Sequence, residues 1–225
     1  MKRLNVRLAI ALITVCAILA GPVAYAKDKT TRYAVTITNI TRGQIISPPM
    51  VISHNKDFQL FILGNLAYPA TPGLAALAED ADTAVLEDEL NASSSVYDYE
   101  KADGVIMPGE SVTVEIETKK GYNLLSTAGM LVSTNDAFFA VRGVKARSKG
   151  EEAFDAEAYD AGSEFNSESC AKLPGPPCGN PKKRDTADAE GYVFIHAGIH
   201  GIGSLNPEES DWRNPVATVM VQKVK

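Results

Sequence analysis

The stretch RYAVTITNI, residues 32–40, alternates apolar and polar side chains and is rich in β-branched residues. This alternation is typical of a strand that has one face on a core and the other face in water. The stretch SVTVEIET, residues 111–118, alternates in the same way and places Val112, Val114 and Ile116 on one face. Both stretches are therefore predicted to be half-buried strands.

Five further segments between turns rich in glycine and proline predict strands; they are DFQLFILG (57–64), AGMLVST (128–134), AFFAVRG (137–143), GYVFIHAG (191–198) and PVATVMVQKV (215–224). The helical signal is confined to residues 71–90, where Pro72 suits a first turn and Asp80 to Asp82 divide the segment into two short helices. Strands that far outnumber helices predict an all-β protein. We expect an antiparallel β-sandwich with a short helical insertion.

Residues 1–26 have the three parts of a signal peptide. A basic segment, MKRLNVR, precedes an apolar run, LAIALITVCAILA, and Ala24-Tyr25-Ala26 matches a cleavage site. Export to the periplasm or the medium is therefore expected, with residues 27–225 forming one domain. No later segment approaches about 20 apolar residues, so no membrane insertion is expected after cleavage.

The net charge limits the classes of partner. The chain has a formal charge of −6, and loss of Lys2, Arg3 and Arg7 with the signal peptide makes it −9. A field of this sign opposes nucleic acid and anionic lipid and is compatible with cations. The two cysteines that remain after cleavage, Cys170 and Cys178, are predicted to form a disulfide in an oxidising compartment.

Acidic residues at two turns form the first candidate site. Asp136 lies in STNDAFF, and Asp160 and Glu164 lie in YDAGSE. Each aspartate also has an ordinary interpretation as a turn former. Loops from non-adjacent strands cluster at one end of a sandwich, so the three carboxylates can meet there and bind Ca²⁺, which prefers oxygen ligands. Asn166 and Glu168 are weaker candidates for contact with the ion through water.

Histidines form the alternative site. His196 and His200 are four residues apart, and His54 supplies a third imidazole for a metal-dependent hydrolase or a periplasmic carrier of transition metals. The flanking sequence is typical of strands, so ordinary packing of these histidines is the favoured interpretation. No nucleophile motif is present, and an enzyme is not expected. The motif PKKRD, residues 181–185, is interpreted as a solvated surface.

Several segments together resemble the spondin domain, the amino-terminal module of F-spondin and mindin, and more closely its stand-alone bacterial relatives. They are YAVTITNITRGQIISPPMVISH (33–54), GLAALAEDAD (73–82), LLSTAGMLVSTNDAFFAV (124–141), YDAGSEFNSE (159–168), HAGIHGIGSLN (196–206) and DWRNPVATVMV (211–221). The resemblance covers most of residues 27–225. It implies a C2-like β-sandwich that binds a divalent cation, calcium in F-spondin, through loops at one end.

The resemblance also assigns residues to the cation site. Asp136 and Asp160 match two aspartates of the family, and Glu164 stands where F-spondin has a third aspartate. The animal relatives act in the extracellular matrix and in cell adhesion. The reelin-type and thrombospondin modules joined to the domain in those proteins are not found in this sequence, so binding to matrix or integrins is not carried over. For this chain the resemblance implies an interaction or adhesion module, and the expected partners are the divalent cation and an extracellular protein or a glycan.

Overall fold

A computed structural model describes residues 29–225, so the predicted signal peptide lies outside the described residues. Within this range, nine strands and three short helices follow one another along the chain. They are β1 (Thr31–Asn39), β2 (Met50–His54), α1 (Pro72–Asp80), α2 (Ala84–Ala92), β3 (Val96–Lys101), β4 (Ser111–Thr118), β5 (Leu124–Met130), β6 (Ala137–Lys145), β7 (Glu151–Asp160), β8 (Phe194–Ile195), α3 (Pro207–Ser210) and β9 (Ala217–Lys223).

All strand pairs are antiparallel, and the hydrogen-bonded order is β3-β2-β5-β6-β7-β9-β1-β4. Strand β7 belongs to two sheets, because its first six residues pair with β9 and its last four pair with β6. The outer strands β3 and β4 also approach each other, and Glu117 N donates to Asp98 Oδ2 over 2.8 Å. The predicted antiparallel β-sandwich is therefore confirmed, with its two sheets almost closed into a barrel.

Two apolar layers hold the fold together. One lies between the sheets and contains Val35, Ile116 and Phe139, while the other lies between the outer face of β2, β5 and β6 and the helical insertion. Successive side chains of a strand point to opposite faces. Phe138 accordingly belongs to the helical layer and its neighbour Phe139 to the layer between the sheets. Strand β6 thus connects the two layers.

The helical insertion divides into two short helices at Asp80 to Asp82, as the sequence predicted. Thr71 Oγ1 accepts a hydrogen bond from Leu74 N, which caps α1, and Pro72 occupies its first turn. Helix α1 ends where Ala81 adopts a left-handed conformation, and α2 begins three residues later. No helix within residues 29–225 has the length and apolar character needed to cross a membrane.

Two of the predicted strands differ from the structure, and three of its strands were not predicted. The segment DFQLFILG is irregular and not a strand, and its Leu60 and Phe61 pack under the helices. A continuous apolar run indicates burial but does not by itself specify a strand. GYVFIHAG contributes only the two residues of β8. Strands β2, β3 and β7 were not predicted. Every residue of β2 is buried, so it lacks alternation, and β7 is rich in acidic and alanine residues, which are poor strand formers.

The strand register places the candidate residues at two opposite ends of the sandwich. Met130, Asp136 and Asp160 lie at one end, which we call the carboxylate end. His54 pairs with Leu124, which pairs with Lys145, so these residues lie at the other end, which we call the basic end.

The disulfide between Cys170 and Cys178 is formed. It closes a short loop that already contains prolines, so it restricts the unfolded chain only moderately. We expect the Cys170→Ser/Cys178→Ser double variant to lose about 2 kcal/mol of unfolding free energy, measured by urea denaturation. Wild-type protein in a reducing agent serves as the control and should show the same loss. An unchanged midpoint in both samples would contradict the prediction.

Candidate metal centre

Asp136 lies at the carboxylate end, in the turn between β5 and β6, and is fully buried. Its Oδ2 atom accepts hydrogen bonds from the backbone nitrogens of Ser163 and Glu164, at 2.8 and 2.9 Å. Its Oδ1 atom is also buried but has no hydrogen-bond partner among residues 29–225. A buried carboxylate oxygen without a donor is costly, so this atom is an unusual feature of the fold.

Asp160 is the last residue of β7 and is fully buried beside Asp136. Ala137 lies opposite Asp160 in the ladder, and Ala161 N donates to the carbonyl oxygen of Asp136 over 3.1 Å. The Asp160 carboxylate accepts from Gly162 N at 2.7 Å and from Asn166 Nδ2 at 2.5 Å. Two predicted ligands are therefore brought together by neighbouring strand ends.

The two aspartates affect each other electrostatically. Burial raises the pKa of Asp136 to about 6, although hydrogen bonds from Glu164 and Ser163 oppose the shift. Burial, followed by the charge of Asp136, raises the pKa of Asp160 to about 8. Two carboxylates held together away from water thus resist being charged at the same time.

Gly162 allows the loop after β7 to turn back over Asp136. Its φ angle is +66°, and a Cβ atom at this position would lie 2.2 Å from the carbonyl oxygen of Tyr192. Only glycine fits such a close approach of two backbones in a left-handed conformation. The turn brings the backbone nitrogens of Ser163 and Glu164 to the Asp136 carboxylate.

Glu164 is buried, and its carboxylate contacts an amide and a guanidinium. Its Oε2 atom accepts from Asn135 Nδ2 at 3.4 Å, and its Oε1 atom lies 3.7 Å from Arg184 Nε. Arg184 also pairs with Glu79 at 2.7 Å and with Asp80 at 2.5 Å. The interpretation of PKKRD as a solvated surface is therefore wrong for Arg184, which is surrounded by carboxylates. Burial raises the pKa of Glu164 to about 7.

Glu190 is a further carboxylate at this site that sequence reasoning missed. Its charge raises the pKa of both Asp136 and Asp160, and its Oε2 atom is buried without a hydrogen-bond partner among the described residues. Glu190 lies 30 residues after Asp160, at the end of a long loop. Its only local signal is the following Gly191, which does not distinguish it from other acidic loop residues.

His196 is linked to the site through an amide. Its Nδ1 atom accepts from Gly198 N at 2.9 Å, so its proton is assigned to Nε2, which lies 3.1 Å from Asn166 Oδ1. Burial lowers the pKa of His196 to about 4, and the ring is therefore neutral. The chain His196–Asn166–Asp160 fixes the orientation of the Asp160 carboxylate.

The three histidines of the alternative site do not meet. His54 lies at the basic end, where its Nε2 atom is 2.8 Å from Ser126 Oγ. His200 lies on the carboxylate end but is exposed, and its ring contacts the carbonyl oxygen of Ala197. His196 is engaged as described. The spacing of four residues between His196 and His200 was informative only for a helix, and this segment is not helical.

Glu168, predicted as a weaker candidate for contact with an ion through water, makes two hydrogen bonds to the backbone of a neighbouring loop. Its two carboxylate oxygens accept from the backbone nitrogens of His200 and Ile202, at 2.5 and 3.0 Å. Gly203 permits this approach, because an added Cβ there would lie 2.4 Å from the carbonyl oxygen of Glu168. Glu168 therefore fastens the glycine-rich loop 198–204 to the carboxylate end.

The side chains are not arranged as a closed metal site. In the described part of the chain, no three histidine, cysteine, aspartate or glutamate side chains are placed so that they could hold one ion. Asp160 is turned toward Gly162 and Asn166, and Glu164 is turned toward Arg184. The donor chemistry nevertheless fits a hard cation, because the charges of Asp136 and Glu190 act on Asp160, and Asp136 Oδ1 and Glu190 Oε2 accept no hydrogen bond from the described residues.

Comparison of the chain with protein-family models and with curated proteins gives no match.

Proposed function

We propose that this chain is an exported calcium-binding β-sandwich that acts as an interaction or adhesion module and not as an enzyme. Its ligands would be Asp136 and Asp160, joined by Glu190 and, after release from Arg184, by Glu164. The resemblance to the spondin domain motivates calcium and the binding role. The signal-peptide pattern and the disulfide support export to the periplasm or the medium.

The observation that carries the proposal is the pair of orphaned oxygens at the carboxylate end. Asp136 Oδ1 and Glu190 Oε2 are buried, belong to residues that repel Asp160, and accept no hydrogen bond within residues 29–225. A divalent cation would satisfy both oxygens and neutralise the repulsion at the same time. An aspartate that served only as a turn former would need neither a buried oxygen without a hydrogen-bond donor nor a second carboxylate that repels it.

The donor set favours calcium over a transition metal. Carboxylate and amide oxygens suit Ca²⁺, whereas imidazole nitrogens suit zinc and copper. The nearby imidazole of His196 uses Nδ1 to accept from Gly198, and its Nε2 faces Asn166. Nε2 also lies 3.7 Å from Asp160 Oδ2, but this nitrogen carries the proton, so neither nitrogen has a lone pair for a cation and His196 supports Asp160 as an outer partner of a ligand does.

Exposed apolar side chains on the same loops support a binding role. Phe165 follows Glu164 and is 42% exposed, and Ile202 in the glycine-rich loop is 67% exposed. Ile195, next to His196, is exposed as well. Apolar groups grouped around a charged site are typical of surfaces that contact other molecules.

We expect calcium to bind chelator-treated wild-type protein with a dissociation constant in the range of roughly 1 µM to 1 mM. Asp160→Asn should weaken binding at least tenfold, because it removes one of the charges that the ion neutralises. Calorimetric titration measures both constants. Asp57→Asn is a matched control, since Asp57 is exposed and follows β2 at the basic end; its affinity should equal that of wild type.

Two results would contradict the proposal. Wild-type protein that gives no heat and no shift of its melting temperature with calcium would exclude a calcium site. Equal affinity of wild type and Asp160→Asn would exclude this location for it. Titrations with Mg²⁺ and Zn²⁺ in the same buffer complete the test, because tighter zinc binding would favour the histidines.

A further inference from the structure

The basic end of the sandwich concentrates positive charge in a chain whose net charge is −6. The register places the end of β4, the end of β6, the start of β7 and the end of β9 together there. The loops and strand ends at this end contain Lys119, Lys120, Lys145, Arg147, Lys149, Lys223 and Lys225. The two ends of the molecule therefore have opposite electrostatic character.

A cleft of about 680 Å³ opens among these cations. Lys145, Arg147 and Lys149 line it, together with the amide of Asn123 and the half-buried ring of Phe154. Glu152 is the acid in the lining, and its Oε2 atom lies 2.6 Å from Arg147 Nε. This pair uses one donor of a guanidinium that has five, so Arg147 retains donors for an anion.

A second cleft of about 550 Å³ adjoins the first. The two clefts share Ser148 and Lys149, and the second also has Lys223 and Lys225 in its lining, with Glu151 as its acid. Together they form a track along which cationic side chains recur. We call this track the basic track and define it by Lys145, Arg147, Lys149, Lys223 and Lys225.

We propose that the basic track binds a linear anionic glycan, one that bears carboxylate or sulfate groups on successive sugars. Recurring cations match recurring anions, and amide and hydroxyl groups of Asn123, Ser148 and Gln222 match sugar hydroxyls. Phe154 offers an apolar surface in the first cleft. Each cleft has the size of an ordinary small-ligand site.

Other polyanions fit this surface less well. A membrane-binding surface would need apolar side chains to enter the lipid, but the exposed large apolar side chains among residues 29–225 lie outside the basic track: Ile40, Leu63, Leu66, Tyr68, Val85, Val105, Met107, Phe165, Ile195 and Ile202. Single-stranded nucleic acid would need several rings on which successive bases stack, but among the described residues that line the two clefts Phe154 is the one aromatic residue.

This inference does not rest on the proposed cation site, because the two sites lie at opposite ends of the strands. Glycan binding at the basic track should therefore be unchanged by a chelator and by Asp160→Asn. If wild-type protein binds no calcium, the glycan titration still tests the basic track. If it binds no glycan, the calcium titration still tests the carboxylate end.

The test is a calorimetric titration with three probes: oligogalacturonate, a dextran sulfate of similar length, and uncharged dextran. We expect wild-type protein to bind at least one anionic glycan and not dextran. Lys145→Gln/Arg147→Gln/Lys149→Gln should weaken binding at least tenfold at low salt. The control is Arg42→Gln/Lys182→Gln/Lys183→Gln, which removes the same number of exposed cations away from the basic end and should change affinity less than twofold.

Several outcomes would overturn the proposal. They are absence of binding to both anionic glycans, equal losses in the two triple variants, and tighter binding to polyglutamate or to vesicles containing phosphatidylglycerol than to either glycan. Lys149→Gln/Lys223→Gln/Lys225→Gln provides a second test, because it alters the other half of the track and should also weaken binding. Added salt should weaken the wild-type complex, since exposed charges are screened.

Discussion

Gly162→Ala is expected to lower the free energy of unfolding by about 3 kcal/mol and to abolish measurable calcium binding. A left-handed conformation costs alanine about 1–2 kcal/mol, and overpacking adds a similar amount. The overlap would be with backbone, because the new Cβ would lie 2.2 Å from Tyr192 O and 2.7 Å from Tyr192 N. The loop must therefore move as a unit, and Ser163 and Glu164 would no longer donate to Asp136.

Gly150→Ala is the matched control for this substitution. Gly150 has a φ angle of +78°, but within residues 29–225 no heavy atom beyond its chain neighbours lies within 4 Å of an added Cβ. It should cost about 1 kcal/mol from conformation alone and leave calcium affinity unchanged. Chemical denaturation and calorimetry measure the two quantities. Equal losses in the two variants would show that the contact between Gly162 and Tyr192 does not hold the loop in place.

The clearest strand predictions are those for β1 and β4, which have one wet face. In β1 and β4, polar residues such as Thr36 and Thr113 face water, so alternation was visible. It was not visible in β2, because the helical insertion covers the outer face and every residue is buried. Strand β7 was not predicted for a different reason. Its residues have low strand propensity, and it forms a strand because it changes partners halfway along its length, pairing first with β9, which is distant in sequence, and then with β6.

For the candidate site, the sequence predicted which residues lie near each other better than it predicted the orientation of their side chains. Asp136 and Asp160 are adjacent because the sandwich topology brings their turns together, as the expected clustering of loops at one end of a sandwich predicted. The orientation of Glu164 depends on Arg184, whose position follows from a long loop and from α1. Glu190 reaches the site through the same loop. Such long-range contacts leave no local pattern in the sequence.

Arg184→Met is expected to lower the free energy of unfolding by about 3 kcal/mol at neutral pH. Methionine keeps much of the bulk but leaves the carboxylates of Glu79, Asp80 and Glu164 without their shared cation. These side chains are 11%, 5% and 1% exposed, so water compensates them poorly. Removing one partner of a buried ion pair costs more than the intact pair contributes, because a charge remains buried and unpaired.

The pH dependence of the loss distinguishes this cause from lost packing. The pKa of Glu164 is raised to about 7, so its contribution to stability is complete below the unfolded pKa of about 4.5 and is lost as the pH rises through the folded value. Without Arg184 that pKa should rise further. The difference between variant and wild type should therefore be smaller at pH 5 than at pH 8, whereas a loss of packing would be equal at both.

Calcium affinity should change in the opposite direction to stability in the Arg184→Met variant. Glu164 is held 3.7 Å from Arg184 Nε, and loss of the guanidinium frees this carboxylate to turn toward the cation. We expect a severalfold gain in affinity by calorimetry, while Lys183→Met, an exposed neighbour, changes neither quantity. A variant that loses both stability and affinity would instead show that Arg184 positions the loop for calcium binding. The idea that Arg184 and the cation compete for Glu164 would then be wrong.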